Sequence, residues 1–314
     1  MPQCSIKKKT SIGGQALLEG VMMRGPQKTA MAVRHVSGNI VMEEFPNKRS
    51  KSRSTISRIP LVRGVVNMVE SMVLGYRCLM RSAELAGLEE EEPGKEGKEA
   101  GKAEQFFVSL LMVLSTIVGV LLAVGLFLYL PALLFGLITK AVPSLENRLW
   151  RSIFEGLIRI VLFIGYLLLV SLMKDIKRVF RYHGAEHKTI FCYEAGEELT
   201  VENVRRQSRF HPRCGTSFLV LMLLVGIVVA MFIPVTTPFL RTIIKILTIP
   251  VMVGIGYELI KWAGRSDSWL SRAVSKPGMW MQRITTKEPD DSMIECAIAA
   301  LKAVLPDDPE ADRW

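Results

Sequence analysis

The chain has 314 residues, 49% of them hydrophobic, a positive mean hydropathy of +0.28 and a formal charge of +10. A soluble domain of that length spreads its apolar residues periodically, whereas here they are massed between about 106 and 262 with charged flanks, which excludes an ordinary soluble fold. The positive charge comes with no stacking platform or reader motif, so no nucleic-acid partner is expected.

At the N-terminus, MPQCSIKKKTS has no apolar stretch behind its basic start. No signal peptide is expected, and insertion would use internal helices. The cysteines (4, 78, 192, 214, 296) are odd in number and lack CxxC spacing, which favours reduced thiols. Residues 1–58 are polar and glycine-rich. GGQALLEGVMMRGP (13–26) reads as a loop-rich strand entry without phosphate-binding spacing. TAMAVRHV and IVMEEF flank Ser37, Gly38 and Asn39 as a β-hairpin. The basic run KRSKSRSTISR (48–58) suits anionic headgroups. Residues 59–85 read as a helix with Arg63, Asn67, Glu70, Arg77 and Arg81 on a narrow polar stripe. Such a helix lies in the membrane interface or turns its stripe to a polar cavity. Residues 1–88 thus form an N-terminal α+β region, followed by a disordered, charged linker, 89–105.

A bilayer core needs about 20 consecutive apolar residues as helix. Residues 106–130, 157–173, 217–233 and 243–262 are the candidate spans. The second is interrupted at its start by Arg159, and the fourth carries Lys245, Pro250 and Glu258. The loop 174–216 between spans two and three holds nine basic residues up to Arg213, while 234–240 has none. The positive-inside rule then puts that loop and both termini in the cytoplasm. The fold class expected is mainly α: a polytopic membrane protein with about four transmembrane helices over 106–262 and a small cytoplasmic α+β region. In the C-terminal segment, 263–314, residues 263–289 look irregular, with PGMW (277–280) as an interfacial turn cluster. DDSMIECAIAALKAVL then reads as an amphipathic helix with a Ser292/Glu295 capping box. It must dock on the N-terminal region or the membrane surface.

Three of the four histidines (183, 187, 211) fall in the cytoplasmic loop. His183 and His187 are four apart, so they share one face if the helix of the second span continues past the membrane, and can then take one divalent metal ion. With Glu186 they make H-x-x-E-H, the inverted zinc-protease order. Glu186 sits beside the ligand face, placed to accept a proton from a water. Gly184 weakens a helix there by about 1 kcal/mol relative to alanine. FHPRCGTSF offers His211 and Cys214 as further ligands. If both bind, the zinc site is closed and structural; if one binds, a position stays open. Cys214 as a merely buried thiol is the alternative. Glu194, Glu197, Glu198 and Glu202 read as solvated surface, or one of them as a carboxylate ligand.

Residues 13–26, RIPLVRGVVNMVESMVLG (58–75), YHGAEHKTIFCYEAGEELTVENVRRQSRFHPRCGTSFL (182–219) and PGMWMQRITTKEPDDSMIECAIAALKAVL (277–305) resemble the YqhQ-type family of bacterial multi-pass membrane proteins. The resemblance spans nearly the whole chain, leaving out 89–105. It implies a bacterial cell-membrane protein and a metal-dependent enzyme, with His183, Glu186 and His187 at its H-x-x-E-H. It supplies no substrate, and it draws attention to Arg24, Arg63 and Glu70 without giving them a role. Two functions fit. One is a metal hydrolase at the cytoplasmic face, acting on a peptide or a lipid headgroup. The other is a non-catalytic scaffold in envelope or membrane-protein biogenesis, contacting a membrane or protein partner through the striped and C-terminal helices. An open metal position reached by a cavity separates them.

Overall fold

A computed structural model of the chain describes residues 8–47, 59–88, 102–266, 268–308 and 311–313. The basic run 48–58 and most of the linker, 89–101, lie outside the described residues. The chain divides into two compact units: Met1–Glu89 with Leu167–Leu221 and Val253–Trp314, and Glu90–Tyr166 with Met222–Met252.

The first unit is built on an antiparallel meander of β1 (Gly13–Leu17), β2 (Gly20–Arg24), β3 (Lys28–Arg34) and β4 (Ile40–Pro46). The β3–β4 hairpin is the one the sequence predicts, and Gly38 supplies its left-handed turn at φ 88°. β1 and β2 are strands where a loop-rich entry was expected. Their glycines mark close contacts more than turns. A Cβ on Gly14 would lie 2.9 Å from the Glu186 carboxyl carbon, and one on Gly20 would lie 2.4 Å from the Ala32 carbonyl oxygen.

Both faces of the sheet are covered. Val21, Met23, Ala30 and Ala32 form one core with α5 (Lys174–Glu194) and α10 (Asp291–Val304). Leu17, Met22 and Met31 form another with Cys78 of α1 (Val62–Leu85). α10 therefore docks on the N-terminal sheet. Its cap is Asp290, which accepts the Met293 amide at 3.0 Å, in place of the expected Ser292. The stripe of α1 pairs Arg63 with Glu258 and Asn67 with the Tyr257 hydroxyl, while Val69, Met72, Val73, Tyr76 and Met80 stay exposed. Residues 269–285, expected to be irregular, are helical as α9 (Trp269–Thr285), and α6 (Val201–Arg206) is a short helix in the loop that follows α5. Gly278 of α9 lies so close to Ser217 that a Cβ there would be 2.4 Å from it.

The second unit holds α2 (Lys102–Val124), a π-helical turn Gly125–Tyr129, α3 (Leu130–Ala141) and most of α4 (Arg148–Val170). By length and composition three helices among the described residues are apolar enough to cross a membrane: Leu110–Ala141, Arg148–Val170 and Pro238–Arg265, the last being α8. The fourth apolar helix, α7 (Gly215–Met231), is shorter, with 17 residues. The buried charges in these helices have partners, as apolar surroundings demand. Glu155 accepts Arg241 Nε at 3.0 Å and Lys245 Nζ at 2.5 Å, and Arg159 Nε donates to the Phe127 carbonyl at 2.9 Å. Because Arg151, Ser152, Glu155 and Arg159 are buried, α4 begins at Arg148, ahead of the apolar run that starts at 157.

Candidate metal centre

The second apolar helix does not run on into the histidines. Its bonding tightens from i→i−4 at Ser171 to i→i−3 at Leu172 and Met173, Met173 is extended (ψ 134°), and α5 starts afresh at Lys174. His183 and His187 are thus neighbours on a helix of its own, with ring centroids 4.4 Å apart. Gly184 lies between them because backbone crosses α5 at that point. A Cβ there would meet the Lys287 carbonyl oxygen at 2.0 Å. The Lys287 amide bonds the Phe180 carbonyl, and the neighbouring Thr285 carbonyl accepts His183 Nδ1–H at 2.9 Å.

The loop before α7 supplies the other side. The Arg209 carbonyl accepts His187 Nδ1–H at 2.6 Å. A carbonyl only accepts, so both rings carry a proton on Nδ1, and Nε2 is the nitrogen each can offer to an ion, which would displace any proton held there. His183 Nε2 lies 3.2 Å from Cys214 Sγ. His187 Nε2 is buried and has no hydrogen-bond partner among the described residues. The donor atoms of His183, His187 and Cys214 lie within 4.8 Å of one another, a grouping able to hold a metal ion. Two imidazoles oriented by carbonyls, with one thiolate, is a donor set that suits zinc.

Electrostatics favour the ligating form of the thiol. Burial pushes Cys214 up, but the neighbouring histidines hold it well below an ordinary thiol. The Thr216 amide at the start of α7 also donates to its sulfur at 3.4 Å. Burial works against a charged His183, yet Cys214 outweighs it and raises the imidazole to about 9. Burial prevails at Glu186 and raises its carboxyl, although its histidine neighbours and the Gly14 amide work to lower it. Its carboxyl lies against Gly14 of β1.

His211 lies beside this group, its ring centroid 5.6 Å from that of His187. Its Nδ1 accepts the Arg213 amide at 3.3 Å, and its Nε2 faces Glu194 at 3.4 Å. Both nitrogens are thus engaged, and burial lowers the ring towards its neutral form. Glu194 is fully buried and takes the Thr10 amide at 2.8 Å as well as Arg213. Burial pushes its carboxyl up, but the His211 bond and the Arg213 charge prevail and hold it below the usual range. Gln282 grips the backbone of His211 from both sides, accepting its N–H and donating to its C=O, each at 2.7 Å. Gln282, Arg209, Thr285 and Gly14 escaped the sequence reading; the signal that could have found all four was their place inside the resembling segments.

A helical chain with three helices apolar enough for a membrane and a buried His–His–Cys group defines the class. The chain belongs to the family described as protein of unknown function (DUF1385), whose profile matches residues 59–307. It is similar to "Uncharacterized protein YqhQ" of Bacillus subtilis (strain 168), with 34% identity over 300 residues covering 95% of this chain and 93% of that one. No solved structure matches it.

Proposed function

We propose that this chain is a four-span membrane protein with both termini in the cytoplasm, which binds a divalent ion, zinc by its donor set, at His183, His187 and Cys214. We further propose that it is a metal-dependent hydrolase with Glu186 as the acid–base residue. The observation that carries the metal reading is His187 Nε2, buried, grouped within 4.8 Å of the other donor atoms and without a hydrogen-bond partner among the described residues. Leaving such a group unmet costs about 1–3 kcal/mol, and an ion would satisfy it. When bound, the ion supplies Lewis acidity and makes a nearby water more acidic. Glu186 lies one residue from His187 on α5, and the Gly14 amide orients its carboxylate. That suits a group that takes and returns a proton.

The burial of His187 and Cys214 also favours a second reading, in which a closed metal site merely pins the loop to α5. Elemental analysis of detergent-purified protein tests both. Wild type should carry stoichiometric metal, and His183→Ala, His187→Ala and Cys214→Ser should lose it. Glu186→Gln should keep the metal and lose hydrolysis across a panel of peptide and lipid-headgroup substrates. Full metal in the His183→Ala/His187→Ala double variant ends the metal reading. A metal-loaded wild type no more active than Glu186→Gln on the panel leaves the pin.

A further inference from the structure

The outer face of the sheet and α1 leave between them a cavity of about 760 Å³. It lies away from the histidine group. Met31, Phe45, Val69 and Val73 are among its apolar lining, and Arg24 and Arg77 stand in the same wall as Glu43 and Glu70. Arg81, also on the wall, is bonded to Glu43 at 2.8 Å and to Glu84. The guanidinium groups of Arg24 and Arg77, by contrast, have no hydrogen-bond or ion-pair partner among the described residues. Unpaired arginines beside an apolar hollow call for an anion that brings apolar surface with it, since guanidinium groups recognise phosphate in a two-pronged way. The hollow also continues into the exposed row of α1. Val69 and Val73 belong to both, and Met72, Tyr76 and Met80 extend the row. A helix that exposes such a row is suited to a lipid interface.

We infer that this cavity is a binding site for an anionic phospholipid. The phosphate sits on Arg24 and Arg77, the glycerol end enters between β4 and α1, and the acyl chains leave along Val69 and Val73. The cavity is of ligand size and gives Arg24, within VMMRGP, a task that the metal site does not.

Native mass spectrometry of the full-length, detergent-purified protein tests this, titrated in turn with phosphatidylglycerol, phosphatidylcholine of the same chains, and glycerol 3-phosphate. Wild type should bind phosphatidylglycerol at least tenfold more tightly than phosphatidylcholine. Arg24→Gln/Arg77→Gln should abolish that preference while metal content stays at the wild-type level. Val73→Trp, which fills the cavity and keeps both arginines, should weaken phosphatidylglycerol binding as well and decides the matter if the double variant does not fold. Equal binding of the two lipids, an unchanged preference in either variant, or glycerol 3-phosphate binding as tightly as the lipid would each overturn the site.

Discussion

Gly184 sits mid-helix, where glycine costs about 1 kcal/mol relative to alanine, yet alanine is the worse residue there. Its methyl group would meet the Lys287 carbonyl oxygen at 2.0 Å and push away the segment whose Thr285 carbonyl orients His183. Loss of such an orienting bond lowers metal affinity about 10–100-fold. Gly184→Ala should therefore weaken metal binding by that order in a chelator competition while the helix itself gains propensity; an unchanged affinity would contradict this role. His211→Ala is the complementary case. Both of its ring nitrogens are engaged by Arg213 and Glu194, so the variant should keep stoichiometric metal by elemental analysis and lose stability. The pair His183/His187 and the partner Cys214 are legible in the sequence because spacing and topology suffice to join them. Gly14 and Gly184 are not, because the atoms that exclude a side chain there come from residues 172 and 103 positions away, reading Glu186 and Lys287 against them.

Among the elements, α10 is legible from its apolar face, although its cap is Asp290 and not the expected Ser292. Met293, Ile294, Ala297 and Leu301 are all fully buried. Leu301→Ala should cost about 2–5 kcal/mol, as large-to-small core changes do, read as a lower thermal midpoint of the purified protein. β1 and β2 were hidden because four glycines and a proline in fourteen residues imitate a loop, although the sheet buries β2 on both faces. α9 was hidden by Pro277 and Gly278, which a helix tolerates here because Gly278 lies against Ser217. Within the apolar helices, Arg159 and Lys245 looked like defects in a span. Lys245 joins Arg241 on Glu155, and Arg159 donates to the Phe127 carbonyl. Glu155→Leu leaves Arg241 and Lys245 buried without their carboxylate, a loss of about 3–5 kcal/mol. Stability measured in detergent should fall accordingly, and a neutral effect would mean that carbonyl partners alone hold Arg241.

At the scale of the molecule, the first unit gathers the N-terminal sheet, the loop 174–216 and the C-terminal helix from three separate stretches of chain. Sequence pattern separates apolar from polar stretches well, since each apolar run announces itself. It does not say which polar stretches fold together, because that depends on contacts such as Thr10 with Glu194 and Asp312. If the four-span reading holds, cysteine-accessibility labelling should find positions near 145 and 237 outside and 185–212 with 290–308 inside. A labelled 185–212 loop on the outside would remove the cytoplasmic site. The metal centre itself is tested most directly by X-ray absorption at the zinc edge on protein purified without added chelator. Two imidazole nitrogens at about 2.0–2.1 Å and one sulfur at about 2.3 Å per ion is the expected shell, with the sulfur lost in Cys214→Ser. A stoichiometric ion with no sulfur neighbour, or no ion at all in the folded protein, would contradict the His183–His187–Cys214 site.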